Sequence, residues 1–254
     1  MMISVITPAY NSSGTIADAI NSLLTQTHKG VEHIIVDGGS TDSTCGIVAS
    51  FGDKIARFVS EPDGGIYDAM NKGVRLATGD IIGILNSDDM YADKSALARV
   101  VAAFENPEVD ACYGDLVYVS PGNIDKPVRF WKSSPYKPGS FLSGWVPPHP
   151  TFFARRRVYE KYGAFDLSFP LAADFELMLR FLHCHKINSC YIPATIMKMR
   201  LGGATNKSLG NIIRQNIEIL RAGCKNGIGL GARWFLGKSY DRFKQYMRAR
   251  KICG

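Results

Sequence analysis

Four apolar runs in the first 90 residues, ISVITPAYN, VEHIIVDGG, ARFVSEPDGG and IIGILNSDD, each empty into a cluster of Asn, Asp, Ser and Gly. The segments between them carry helical periodicity. Residues 13–27 place Ile16, Ala19, Ile20, Leu23 and Leu24 on one face, and Ile66, Met70, Val74 and Ala77 mark another helix. DGGSTDST opens a third, with Ser40 or Thr41 available as N-cap. Strands alternating with helices at this spacing predict an α/β chain with a mostly parallel, doubly wound sheet and right-handed crossovers. Ligands of such sheets bind at the carboxyl ends of the strands. Residues 7–11, 37–42, 61–65 and 86–89 are therefore expected to converge on one crevice.

That convergence bears on Asp88 and Asp89, two adjacent carboxylates at the tip of a buried strand. Loops of Asp, Asn and Gly commonly cap and turn the chain. Clustered carboxylates, however, repel one another unless a cation or hydrogen-bond donors offset their charge. Mg²⁺ or Mn²⁺ would do so, held by one or two carboxylates with substrate phosphates completing the shell.

At 254 residues the chain has room for one large α/β domain and an appendage. No apolar stretch approaches the roughly 20 residues that span a bilayer, and no Lys or Arg precedes Lys29. The expected location is the cytoplasm, where six scattered cysteines with no CxxC pair read as reduced thiols. The net charge of +7 is unevenly placed: nine basic residues and one acid, Asp241, lie from Arg221 onward, leaving residues 1–220 at −1.

ISVITPAYN, DGGSTDST, NKGVRLATGD and ILNSDD, in this order and spacing, resemble the N-terminal half of family 2 glycosyltransferases with the GT-A fold. HPTFFARRRVYEKYGAFD, AADFELMLR and MRLGGATN resemble the second half of bacterial members that build surface polysaccharides such as capsule, exopolysaccharide or O-antigen. The resemblance implies a GT-A domain over residues 1–206, with a nucleotide-sugar-binding half at 1–115 and an acceptor half at 116–206, followed by basic amphipathic helices at 207–254. It implies an inverting, divalent-metal-dependent hexosyltransferase that moves a sugar from a nucleotide diphosphate to a glycan or lipid-linked saccharide. Nucleotide binding falls to Thr7, Pro8, Ala9, Tyr10, Asp37, Asp42 and Asp88. Asp88 and Asp89 would hold Mn²⁺ or Mg²⁺ on the diphosphate, while Asn86 replaces the motif's usual first Asp and contributes no charge. The family's catalytic Glu-Asp pair reads Ala173-Asp174, leaving Asp174 as base. The chemistry wants these residue types, because a carboxylate can take the acceptor's proton while a fixed cation stabilises the departing diphosphate.

AADFELMLRFL also has helical spacing, so Asp174 suits a helix first turn as well as a base. His149, between prolines, is a candidate contact to the acceptor or donor phosphates; Arg200 with Gly202 and Gly203 resembles a flap over the nucleotide. Trp131 and Trp145 fit either an acceptor platform or the core. Leu209, Ile212, Ile213, Ile217 and Leu220 form one helical stripe; Leu236, Tyr240, Phe243 and Met247 form another among basic residues. The second stripe suits an anionic membrane surface at the inner face of the plasma membrane, or docking on the domain or a second subunit. A tail-centred adaptor for membrane or nucleic acid is the alternative function. Near-neutrality of residues 1–220 argues against nucleic acid. Glycoside hydrolysis also uses two carboxylates but needs no diphosphate site.

Overall fold

β1 (Ile3–Ala9) is buried at every position and pairs in parallel with β2 (Val31–Asp37) on one side. β3 (Arg57–Ser60) continues the parallel order beyond β2, and β4 (Ile81–Ile84) lies parallel on the other side of β1. Their crossovers are α1 (Ile16–Leu24), α2 (Thr44–Ala49) and α3 (Ile66–Leu76). The apolar face read from the sequence on α1 is buried at Ile16, Ala19, Ile20 and Leu23; of the face expected on α3, Met70 and Ala77 are buried and Val74 partly so, while Ile66 is 48% exposed and Ala69 takes its place in the core. The computed structural model describes residues 1–202 and 209–253.

β5 (Met90–Tyr91), α4 (Ala96–Ala103), β6 (Ala111–Ser120), β7 (Asn123–Trp131) and β8 (Phe153–Arg155) follow, then α5 (Arg156–Tyr162), α6 (Ala173–Leu179) and β9 (Ser189–Arg200). The sheet order is β3-β2-β1-β4-β8-β6-β9-β5, with β7 paired to β6. Beyond β4 the pairing becomes mixed: β8 is antiparallel to β4 and β6, β9 is parallel to β6, and β5 is antiparallel to β9. Gly83 interrupts the β-branched run of β4 because its register partner is Phe153, whose Cε1 lies 2.2 Å from where a Cβ would sit.

Two local expectations shift. α2 starts at Thr44 and not at a Ser40 or Thr41 cap, because the Asp42 carboxylate accepts the Thr44 N–H at 3.0 Å. The helices after the sheet are α7 (Leu209–Lys225), which keeps only the Leu220 end of its apolar stripe against the core, and α8 (Ala232–Cys253), which docks by a face other than its stripe. α7 buries Glu218, Ile219 and Ala222 and leaves Ile213 and Ile217 outside. α8 buries Trp234 and Gln245 and leaves Leu236, Tyr240, Phe243 and Met247 outside. Buried acceptors explain α7: Glu218 turns inward to accept the Leu171 N–H at 2.8 Å, taking Ile219 with it. On α8 one Trp and a glycine decide the orientation, as described below. Among the described residues no helix is long and apolar enough to cross a membrane.

Candidate active site

Strand order 3-2-1-4 reverses direction at β1, so the crevice lies between the carboxyl ends of β1 and β4. The loops leaving them are tied together. Ser12 and Ser87 share a 2.8 Å hydroxyl hydrogen bond, Asn11 N–H donates to Ser40 Oγ at 2.8 Å, and Asn11 Oδ1 accepts the Thr41 N–H at 2.9 Å. Asn11 holds φ at 47°, a conformation Asn tolerates better than most side chains. A Cβ on Gly38 would stand 2.5 Å from Asp63 Oδ2, which brings the 61–65 loop against the 37–42 loop. The four loops thus share one edge.

Within this edge the candidate donor-binding residues divide. Tyr10 is 63% exposed and free to meet a ligand, whereas Thr7, Pro8 and Ala9 are buried in β1, with Thr7 Oγ1 3.0 Å from His33 Nε2. Asp37 is fully buried and accepts the Gly39 and Ser40 N–H groups at 3.1 and 2.9 Å, the Ser40 hydroxyl, the Ser60 hydroxyl at 2.8 Å and the Cys45 thiol at 3.4 Å. Burial alone would raise its pKa, but the Ser40, Ser60 and Cys45 bonds outweigh it and hold it below the ordinary value. Asp42 is exposed and lowered chiefly by the Thr44 hydroxyl; its carboxylate also accepts the Ser13 N–H, fastening the first loop to the second.

At the end of β4, Asp88 is half-buried while Asp89 is wholly buried. Asp89 Oδ2 accepts the Asn86 amide at 2.9 Å, and burial followed by the Asp88 charge pushes its pKa well up. Asp89 Oδ1 and Asn86 Oδ1 are buried without a hydrogen-bond partner. Antiparallel pairing of Met90 with Lys198 places Arg200 opposite Asp88, and Arg200 Nη1 donates to the Asp88 carbonyl at 3.0 Å while Nη2 reaches Asp18 at 2.5 Å. Arg200 is 8% exposed, so in this state it braces the acidic loop from beneath. Gly202 follows at φ 112°, with no described residue within 4 Å of where a Cβ would sit, and Gly203 lies outside the described residues.

Asp174 stands in the first turn of α6. Tyr67, two residues beyond the 61–65 loop, donates its hydroxyl to Asp174 Oδ1 at 2.9 Å and so ties α6 to the crevice. His149 Nδ1 is 3.9 Å from Asp174 Oδ2. Burial lowers the His149 pKa, the Asp174 charge opposing, so the ring is neutral at pH 7. Phe165 packs on both, 5.6 Å from the Tyr67 ring and 5.9 Å edge-on to His149. Lys238 of α8 also feels Asp174; burial, then Arg242, brings its pKa down to about 8. Trp145 belongs to a ring cluster with Tyr113, Tyr136 and Phe141.

Sequence reading missed Tyr67, Lys238 and Asp18. Tyr67 looked like one more residue of an amphipathic helix; a signal was available in its position directly after Asp63-Gly64-Gly65, at the mouth of the crevice loop. Nothing local marked Lys238 or Asp18.

Asp88 is half-buried next to Asp89 Oδ1 and Asn86 Oδ1, which lack a hydrogen-bond partner, and no group of three or more His, Cys, Asp or Glu side chains able to hold a metal occurs among the described residues. That donor set fits Mg²⁺ or Mn²⁺ shared with a substrate's phosphates and does not fit an all-protein cage.

The model of Glycosyl transferase family 2 matches residues 4–163. An uncharacterized glycosyltransferase of Mycobacterium tuberculosis is 33% identical over 183 residues, covering 70% of this chain and 68% of that protein. A PGL/p-HBAD biosynthesis glycosyltransferase of Mycobacterium bovis is 28% identical over 239 residues, or 92% and 91% of the two chains. Among solved structures, the mannosyltransferase PcManGT from Pyrobaculum calidifontis, in complex with GDP-Man and Mn²⁺, superposes with TM-score 0.65 at 20% identity over 97% of this chain and 73% of that one. S. aureus TarS shares the fold at TM-score 0.61 and 18% identity, and this chain spans 43% of its length.

Proposed function

The chain belongs to glycosyl transferase family 2, and from that premise we propose that it transfers a sugar, with inversion, from a nucleotide diphosphate to a glycan or lipid-linked saccharide in surface-polysaccharide assembly. The observation that carries this reading is a half-buried strand-end carboxylate, Asp88, together with a second carboxylate, Asp174, that Tyr67 in the first turn of α3 ties to the crevice loops. The nucleotide meets Tyr10 and the backbone of the Asp37–Asp42 turn, whose geometry Asp37 maintains through its own bonds. Asp88 is the residue that would hold Mg²⁺ or Mn²⁺, with Asp89 and Asn86 behind it and Arg200 fixing its carbonyl. When bound, the cation neutralises charge on the diphosphate leaving group. Asp174 accepts the proton of the acceptor hydroxyl, Tyr67 holds the carboxylate in position, and neutral His149 lines the same wall as a hydrogen-bonding group for acceptor or phosphate.

Thermal shift with UDP, GDP and dTDP, each with and without Mn²⁺, tests the donor side: one nucleotide is expected to raise the melting temperature only with metal present. Asp88→Ala should remove that metal-dependent increment, and Asp174→Asn should keep it while losing turnover measured as nucleotide release. Full metal-dependent turnover by Asp88→Ala, or unchanged turnover by Asp174→Asn, refutes the corresponding role.

A further inference from the structure

α8 has two faces with opposite fates. Trp234 is fully buried against Phe175, ring centroids 5.9 Å apart, and Gly237 fits its backbone onto the Ser143 carbonyl. Gln245, 7% exposed, continues this docked side two turns later. Across the helix, Leu236, Tyr240 and Phe243 are 71%, 60% and 62% exposed, and Met247 follows at 43%. Spacings of four, three and four put these four on one line about 16 Å long. A scattered exposed leucine needs no explanation, but a continuous apolar line on a helix whose other face is already docked does.

The charges around the line indicate what covers it. Arg233 is exposed beside it, Lys244 lies with its Nζ 4.0 Å from the centre of the Tyr240 ring, and the one acid, Asp241, sits half-buried toward the docked side. A second copy laid on this face would set cation against cation. A nucleic acid backbone would meet the cations but leave the apolar line wet. An anionic lipid leaflet satisfies both at once, taking the apolar side chains below its headgroups and the basic ones at headgroup level. We propose that the outer face of α8 seats the protein on an anionic phospholipid surface. The seat stands independently of the transferase reading. Because Trp234 packs on Phe175, the neighbour of Asp174, the same helix would set the crevice a fixed distance from the lipid.

Truncating the tail would strip Trp234 from the core, so point substitutions of exposed residues are the proper test. The full chain, Tyr240→Ser/Phe243→Ser and Arg233→Glu/Lys244→Glu are co-sedimented with vesicles of phosphatidylcholine alone and of phosphatidylcholine mixed with phosphatidylglycerol, with melting temperatures recorded on the same samples. Wild type should pellet with the anionic vesicles and remain in solution with the neutral ones. Each double variant should melt like wild type and bind the anionic vesicles about tenfold more weakly or worse. Equal pelleting of all three proteins overturns the proposal, as does a wild-type dimer in sedimentation velocity that Tyr240→Ser/Phe243→Ser converts to monomer.

Discussion

Gly237→Ala decides whether α8 is docked, because the two possibilities predict opposite signs. In a helix free of the domain, replacing an interior glycine with alanine stabilises by about 1 kcal/mol. In the docked helix the new Cβ would lie 1.8 Å from the Ser143 carbonyl oxygen and 2.7 Å from its carbon, both backbone atoms that no rotamer change moves. Gly144, at φ 82°, closes the same contact from the other side, its own Cβ position being 2.4 Å from the Lys238 nitrogen. Restoring ordinary contact requires the helix to withdraw by more than about 1.5 Å, and overpacking of this kind costs about 1–3 kcal/mol. Withdrawal also loosens Trp234, whose burial beside Phe175 is the largest apolar contribution of the helix. For a chain of this size the net loss corresponds to a fall of roughly 2–12 °C in melting temperature, against a rise of a few degrees for a free helix. Differential scanning calorimetry reads the sign, and limited trypsin digestion should show faster cleavage at Arg233, Arg242 and Lys244. A variant that melts at or above wild type, with unchanged digestion, refutes the packed arrangement of α8.

Tyr67→Phe keeps the ring on Phe165 and removes only the hydroxyl that holds Asp174, so kcat should fall roughly tenfold with little change in donor KM. Unaltered kcat would reduce Tyr67 to packing. His33 is 3% exposed with Nδ1 unpartnered, and burial lowers its pKa from 6.5 to about 3. The unfolded chain therefore binds a proton that the folded chain refuses. Its contribution is intact above pH 6.5 and is lost progressively as pH falls toward 3, at about 1.4 kcal/mol per pH unit well inside that window. Urea unfolding between pH 7 and 5 should show this slope, and His33→Gln should flatten it by one proton; an equal slope in both proteins would place the proton elsewhere.

The alternation of apolar runs with helical stripes was enough to specify the parallel β1–β4 sheet and the loops that meet at its edge, because strand and helix periods are local properties and crossover handedness follows from chirality. The likeness of ILNSDD and AADFELMLR to one family was likewise legible, since such motifs are contiguous. Other features depended on partners far along the chain. The reversal of strand order at β1, which locates the crevice, follows from β4 choosing the free side of β1. Arg200 reaches Asp88, 112 residues away, only through the β5–β9 register. Tyr67 meets Asp174 across 107 residues, and neither residue's neighbours announce the other. The orientation of α8 is the sharpest case. Periodicity identified the Leu236, Tyr240, Phe243 and Met247 stripe, but which side a helix buries is settled by the surface it meets. Here one tryptophan filling a pocket, and one glycine allowing backbone to approach backbone, turned the helix so that the stripe faces outward.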